Sequence, residues 1–118
     1  IICMGFVKNI PEVLSKADGL ILPSLHEGLS YAVLEAMASN CLVMANDIDG
    51  IKNLVHNEHN GYLVKDNSVS DYVKLIFSLR TKTKEMLNMQ SNALKTAKIF
   101  SRGPFLSAYL SFIERVVA

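Results

Sequence analysis

The chain has 118 residues, 50% of them hydrophobic, and its 12 Lys and Arg against 11 Asp and Glu leave a formal net charge of +1. This length fits one domain with a sizeable core, and the balanced charge gives no electrostatic footprint for nucleic acid or for an acidic membrane. No apolar run approaches the ~20 residues that a membrane span needs. Cys3 and Cys41 lie in apolar runs and are expected to be buried thiols rather than a disulfide.

The first predicted elements are a strand, a helix and a second strand. Residues 1–6 form an apolar run that predicts a buried strand. Asn9 is a typical N-cap, and Pro11 suits the first turn of the helix that follows it. The apolar residues 20–22 predict the second strand, which Pro23 ends because proline has no N–H to donate to a sheet.

A loop, a helix and a third strand come next. Residues 24–28 predict a loop, and a largely buried helix is expected from about 29 to 39. Asn40 stands where helices often end with a left-handed residue, a conformation that Asn tolerates best after Gly. Residues 41–45 predict the third strand, and residues 46–50 a turn rich in Asn, Asp and Gly.

The fourth strand, residues 62–64, is predicted after a short helix at 51–55 and a polar loop at 56–61. Short, wholly apolar strands that alternate with helices are typical of a parallel sheet covered on both faces. The sequence therefore predicts a partial, doubly wound α/β fold of about four strands. Because four strands are few for such a domain and the chain opens inside an apolar run, we expect residues 1–118 to be one domain truncated at its N-terminal side.

The remainder of the chain is predicted to be helical. Ser68 is a candidate N-cap for the next helix. The expected apolar face of that helix comprises Val69, Val73, Ile76 and Phe77. A more polar surface helix is expected at 85–100, and a final helix, in which Tyr109 and Phe112 are expected to pack as core, at 105–117.

Glu27 and Glu35 are the most informative residues, because each is a charge in a segment that is otherwise apolar, small or turn-forming. The loop of Glu27 follows the second strand, and open parallel sheets bind ligands outside the carboxyl ends of their strands. The next helix start offers free amides and a positive dipole end, so Gly28, Leu29 and Ser30 form a candidate phosphate seat. Carboxylates beside it accept hydrogen bonds from hydroxyls, which suits a phosphorylated sugar. Spacing alone is equally consistent with an alternative to ligand binding, in which Glu27 caps the helix and Glu35 faces solvent.

A series of segments carries a more specific pattern. They are Pro23-Ser24, Glu27-Gly28, Glu35-Ala36-Met37-Ala38, the turn from Asp47 to Gly50, and Asn60-Gly61-Tyr62-Leu63-Val64. In order and spacing they resemble the C-terminal domain of retaining GT-B glycosyltransferases of family GT4 (group 1). The resemblance implies a Rossmann-like fold and the transfer of a sugar from a nucleotide-sugar, here expected to be a UDP-sugar, with retention at the anomeric carbon. It implies no cofactor and no metal.

The resemblance also implies roles for single residues. Glu27 matches the catalytic-site glutamate that contacts hydroxyls of the donor sugar, and Glu35 matches the glutamate that binds the ribose. The amides of residues 28–30 match the segment that holds the diphosphate. The segment near the nucleobase corresponds to Phe6, Val7 and Lys8. The basic residues that clamp the departing diphosphate lie, in the family, upstream of the part that this chain matches, so we expect the isolated chain to be inactive.

The implied partners follow from the same resemblance. They are the nucleotide-sugar donor and a glycan or lipid-linked acceptor, bound through an N-terminal domain, with no nucleic acid. The implied setting is polysaccharide assembly in the cytoplasm, with peripheral association at the inner face of the membrane. Self-association of the fragment is expected from an exposed sheet edge and apolar surface. The alternative from another class is a non-catalytic Rossmann-like binding or assembly domain, and a nucleotide-sugar epimerase is a third option.

Two departures from the family pattern concern the rim of this expected site. Asp49 stands where the first of two glycines is usual, and Lys52-Asn53 stands where Pro-Glu often follows. These changes leave the identity of the donor open. The loop residues His56, Glu58 and His59 do not have a recognised ligand spacing, so a polar surface loop is favoured over a metal site.

Overall fold

A small parallel sheet organises the fold. The structure, a computed structural model, describes residues 2–81 and 83–117. Across these residues the sheet has three strands in the order β1-β2-β3, namely β1 Gly19–Leu22, β2 Leu42–Asn46 and β3 Tyr62–Val64. β1 pairs in parallel with β2 from Gly19 with Leu42 to Leu22 with Ala45, and β2 pairs in parallel with β3 from Met44 with Tyr62 to Asn46 with Val64. The carboxyl ends of all three strands therefore meet at one edge.

Helices connect and follow the strands. Those in the described residues are α1 Ile10–Leu14, α2 Tyr31–Ala38, α3 Asp49–Lys52, α4 Val69–Leu79, α5 Thr83–Ile99 and α6 Arg102–Val117, with a 3₁₀ turn at Lys65–Asn67. The predicted caps are confirmed: the side chains of Asn9 and Ser68 accept hydrogen bonds from the amides of Glu12 and Asp71. Asn40, at φ 60°, adopts the predicted left-handed conformation after α2.

Alternate residues of the central strand β2 face two separate cores. Val43 and Ala45 pack with buried residues of the helices on one face, among them Val33, Met37 and Ile51. On the other face the cluster comprises Leu42, Met44, Tyr62, Val64, Tyr72, Leu79 and Met89, contributed by the strands, α4 and α5. Helices thus cover both faces of a parallel sheet, and the predicted α/β fold class is confirmed.

The predicted strand at 1–6 is wrong for residues 2–6, and Ile1 lies outside the described residues. Gly5 has φ 61°, a left-handed conformation that interrupts an extended backbone. Ile2, Met4 and Phe6 are exposed, and the sheet has three described strands rather than about four.

One of the two cysteine predictions is also wrong. Cys3, in the same N-terminal segment as Gly5, is exposed. Cys41 is buried as expected, and burial raises the pKa of its thiol above the ordinary value. Neither cysteine forms a disulfide, and the buried one remains a neutral thiol.

The apolar face predicted for α4 is not buried, and the core packing predicted for α6 is wrong. The predicted face of α4 (Val69, Val73, Ile76 and Phe77) is exposed, and Tyr72 and Leu79 are the buried residues of that helix. Along α6 every described side chain is exposed, including those of Tyr109 and Phe112. Helical spacing identifies an apolar face but not the surface that covers it, and here the polar-tipped Tyr72 is buried because its hydroxyl has a partner in the sheet.

Candidate functional site

The segment 23–30 carries the chain from the carboxyl end of β1 to the start of α2. Ser30 is the N-cap residue of α2 and is 3% exposed, yet its side chain makes no capping hydrogen bond. The first turn of α2 has no acidic residue either. Gly28 and Leu29 are exposed, and a Cβ built on Gly28 would meet nothing within 4 Å. The positive end of α2 is therefore open to an anion approaching the backbone at Gly28.

Glu27 is half-buried in the loop before α2. Its Oε1 accepts a hydrogen bond of 2.8 Å from the hydroxyl of Ser24. Within residues 2–81 and 83–117, its Oε2 has no hydrogen-bond partner. The spacing allowed Glu27 either to cap α2 or to bind a ligand. In the structure its carboxylate does not cap α2, so it is free to accept a hydrogen bond from a ligand.

Glu35 lies in the second turn of α2 and is exposed. The neighbouring residues Val33, Ala36 and Met37 are buried in the core and fix the rotation of the helix. A solvent-facing Glu35 was one of the two outcomes that the spacing allowed. Since side chains of helices tend to lean toward the N-terminus, this carboxylate is expected to reach back toward the start of α2. Its role toward a ribose stays a prediction.

An open cleft of about 390 Å³ separates the loop of Glu27 from the segment that follows β2. Its lining residues are Leu25, His26, Glu27, Asp47, Ile48, Asp49, Gly50 and Lys52. The Nζ of Lys52 lies 3.1 Å from Oδ1 of Asp47 and 3.9 Å from Oδ1 of Asp49. The nearer contact is an ion pair without hydrogen-bond geometry, since Oδ1 of Asp47 has no hydrogen-bond partner. The cleft thus contains three carboxylates, those of Glu27, Asp47 and Asp49, and the one ammonium group of Lys52. It therefore suits a ligand group rich in hydroxyls better than a negatively charged one.

Gly50, in α3, allows the two sides of the cleft to approach. A Cβ built on this residue would overlap the carbonyl oxygens of Glu27 and Gly28. Those atoms are backbone and cannot move aside as the end of a side chain can. The sequence predicted only that Gly50 belongs to a turn. The structure shows that this glycine packs directly against the loop that carries Glu27.

The three residues expected near a nucleobase lie apart from the cleft. Phe6 and Lys8 are exposed, and the half-buried Val7 lines a different open cleft with residues of α1. The structure therefore does not join them to Glu27, and their role stays a prediction.

Within residues 2–81 and 83–117, no group of three or more His, Cys, Asp or Glu side chains could hold a metal ion. None of the helices in this described part of the chain is long and apolar enough to cross a membrane.

The sequence interpretation missed several residues around the cleft. Asp47 was identified only as part of a turn, and Asp49 and Lys52 only as departures from a family pattern at the rim of the site, without their ion pairs. The hydrogen bond from Asn46 to the loop was not predicted at all, because it joins residues 22 positions apart. The position of Asn46 at the end of a buried strand was the one signal available for it.

The sequence of this chain is similar to those of known glycosyltransferases. The family model for glycosyl transferases group 1 matches residues 1–82. An Escherichia coli protein named UDP-Gal:alpha-D-GlcNAc-diphosphoundecaprenol alpha-1,3-galactosyltransferase is 31% identical over 77% of this chain and 23% of its own length. The N,N'-diacetylbacillosaminyl-diphospho-undecaprenol alpha-1,3-N-acetylgalactosaminyltransferase of Campylobacter jejuni is 29% identical over 97% of this chain and 30% of its own length.

Solved structures agree with these relatives. HepE of Anabaena, in complex with UDP-glucose, has a TM-score of 0.76 and 25% identity over 80% of this chain and 26% of its own. The C-terminal domain of a glycosyl transferase group 1 family protein, LpcC of Francisella tularensis, has a TM-score of 0.72 and 26% identity over 80% of this chain and 50% of that domain structure. The chain spans 23% to 30% of the curated relatives named above. With the family model covering residues 1–82, the chain belongs to the glycosyl transferases group 1 family.

Proposed function

We propose that residues 1–118 are the nucleotide-sugar-binding C-terminal part of a retaining glycosyltransferase that uses a UDP-sugar. The observation that carries the proposal is the uncapped start of α2 beside Glu27, whose Oε2 is free to accept a hydrogen bond. Two relatives support the donor class: the name of the Escherichia coli protein contains UDP-Gal, and HepE was solved with UDP-glucose.

The proposed chemistry divides the donor among three groups. The amides at Gly28, Leu29 and Ser30, with the dipole of α2, receive the diphosphate, whose negative charge grows as the sugar departs. Glu27 accepts hydrogen bonds from hydroxyls of the sugar and holds the anomeric carbon in place for the transfer. Glu35 accepts from the hydroxyls of the ribose. The remaining diphosphate charge requires basic groups from elsewhere in the enzyme.

The acceptor is proposed to be a glycan or a lipid-linked sugar. The names of the Escherichia coli and Campylobacter jejuni relatives both contain diphospho-undecaprenol, a lipid carrier. The corresponding location is cytoplasmic, with peripheral association at the inner face of the membrane. The acceptor would be bound by an N-terminal domain, so residues 1–118 expressed alone are expected to give no sugar transfer or UDP release from UDP-sugars.

The two glutamates provide the test of this function in the full-length protein. Glu27→Ala is expected to lower kcat/KM for the UDP-sugar by about 100-fold or more, since it removes contacts to the reacting sugar. Glu35→Ala is expected to lower it by about tenfold, mainly through KM, because the ribose is bound alike before and during the reaction. UDP release from a panel of UDP-sugars, with acceptor present, measures both.

Glu114→Ala is the matched control, because Glu114 is exposed on α6 and lies in neither the loop nor α2. Its kinetics are expected to equal those of the unaltered protein. Unchanged kinetics in both Glu27→Ala and Glu35→Ala would refute the assigned site. A full-length protein that binds UDP-sugars without turnover would instead support the non-catalytic alternative.

A further inference from the structure

A chain of hydrogen bonds runs from α4 to the carboxylate of Glu27. The hydroxyl of Tyr72 donates to Oδ1 of Asn46 at 2.9 Å. Nδ2 of Asn46 donates to the carbonyl oxygen of Ser24 at 2.8 Å, and the hydroxyl of Ser24 donates to Oε1 of Glu27 at 2.8 Å. Tyr72 and Asn46 are 7% and 2% exposed, so the first bond is shielded from water. Three consecutive bonds thus link a buried phenol to the proposed sugar-binding residue.

The chemistry of the groups fixes the direction of this chain. The carbonyl oxygen of Ser24 can only accept, so the amide nitrogen of Asn46 must face it. The amide oxygen of Asn46 is then left facing Tyr72 and requires a donor. Burial raises the pKa of the Tyr72 hydroxyl, which keeps the phenol protonated and able to donate. Each group therefore has one arrangement that satisfies all three bonds.

The chain also explains how the loop is held. Gly50 contacts the carbonyl groups of Glu27 and Gly28 from the side of α3, while Asn46 binds the loop at Ser24 from the end of β2. Asn46 can turn about its side-chain bonds unless its amide oxygen is also held. The bond from Tyr72 provides that second attachment, since it leaves Asn46 tied at both ends of its amide group.

We propose that Tyr72 is a positioning residue that orients Glu27 toward the donor sugar through Asn46 and Ser24. The inference rests on the proposed function of Glu27 and deepens it. Because the chain ends at the carboxylate of Glu27 and includes neither Glu35 nor an amide at 28–30, its larger effect falls on the sugar and only a small one on the nucleotide. Tyr72 does not line the cleft beside Glu27, and sugar discrimination is the property that it controls.

The test compares UDP with UDP-sugars as ligands of the full-length protein. Calorimetry measures the affinities of the protein for UDP, UDP-glucose, UDP-galactose and UDP-N-acetylglucosamine. The UDP-sugar that binds most tightly is used in the later measurements. Tyr72→Phe removes one hydroxyl and is expected to weaken the UDP-sugar about tenfold, the effect of one lost hydrogen bond, while UDP changes less than about twofold. Tyr109→Phe is the matched control, since Tyr109 is exposed on α6, and it should alter neither affinity.

A double-mutant cycle with Glu27→Ala separates positioning from general loosening of the fold. If Tyr72 acts through Glu27, Tyr72→Phe should have no further effect on UDP-sugar affinity once Glu27 is alanine. Ser24→Ala, which breaks the same chain next to Glu27, should reproduce the selective loss and serves if Tyr72→Phe does not fold. Equal weakening of UDP and UDP-sugar, or a full effect of Tyr72→Phe in the Glu27→Ala background, would overturn the positioning role.

Failure of the proposed function gives a different result in the same experiment. If no UDP-sugar binds, or if Glu27→Ala leaves UDP-sugar affinity unchanged, the site assignment is wrong and the role of Tyr72 is overturned with it. If Glu27→Ala weakens the UDP-sugar but Tyr72→Phe does not, only the positioning role is overturned.

Discussion

Replacing Gly50 with alanine is expected to abolish UDP-sugar binding and to lower the free energy of unfolding by about 2–3 kcal/mol, the cost typical of overpacking. The added methyl group would overlap the carbonyl oxygens of Glu27 and Gly28. Because both are backbone atoms, relief requires movement of the whole loop or of α3. Either movement displaces Glu27 and opens the cleft. Urea unfolding and calorimetric titration of the full-length protein measure the two effects.

Two other glycines serve as controls for Gly50→Ala. A Cβ on Gly28 or on Gly103 would meet nothing within 4 Å, and neither residue has a left-handed φ. Gly28→Ala should leave stability within about 0.5 kcal/mol yet weaken donor binding, because its methyl group stands where the diphosphate approaches. Gly103→Ala, on α6, should preserve both properties. Donor binding retained in Gly50→Ala would show that the loop is not seated by this contact.

Replacing Asn60 with alanine is expected to lower the free energy of unfolding by about 3 kcal/mol, since it removes one buried and two part-buried hydrogen bonds and leaves the carbonyl of Leu54 without its partner. Asn60 is 0% exposed. Its Oδ1 accepts from the amide of His56 at 2.7 Å, and its Nδ2 donates to the carbonyl of Leu54 at 2.9 Å and to Oγ1 of Thr96 at 3.0 Å. The side chain therefore joins the loop before β3 to α5. Urea unfolding measures the loss.

Asn53→Ala is the matched control for Asn60→Ala. Asn53 is exposed, and no side-chain hydrogen bond involves it among the described residues. Its replacement should change stability by less than about 0.5 kcal/mol. Equal unfolding midpoints for the two variants would mean that the three bonds of Asn60 contribute nothing net to the fold.

The features that the sequence predicted well are those with local causes. The caps at Asn9 and Ser68 and the left-handed Asn40 depend on residues within a few positions along the chain. The apolar strand at 62–64 and the parallel arrangement follow from short-range patterns in the same way. Glu27 and Glu35 could be singled out because a charge in an apolar segment is conspicuous without knowledge of the fold, and their roles stay predictions.

The features that were missed depend on distant residues. Tyr72 and Asn46 are 26 positions apart, and no periodicity indicates that a helix buries its tyrosine rather than its aliphatic face. Gly50 was predicted only as a turn residue, because its contact with the backbone of Glu27 and Gly28 joins residues more than 20 positions apart. The exposed α6 shows the same limit, because an apolar helix face can be recognised without knowing what it contacts.

A crystal structure of the full-length protein with UDP tests the central claim most directly. The expected result has diphosphate oxygens within about 3.2 Å of amides at Gly28, Leu29 or Ser30, and a ribose hydroxyl at a similar distance from the carboxylate of Glu35. The β-phosphate, which carries the sugar in the donor, should lie on the side of Glu27. UDP bound elsewhere, with both the start of α2 and Glu35 unoccupied, would contradict the proposed site.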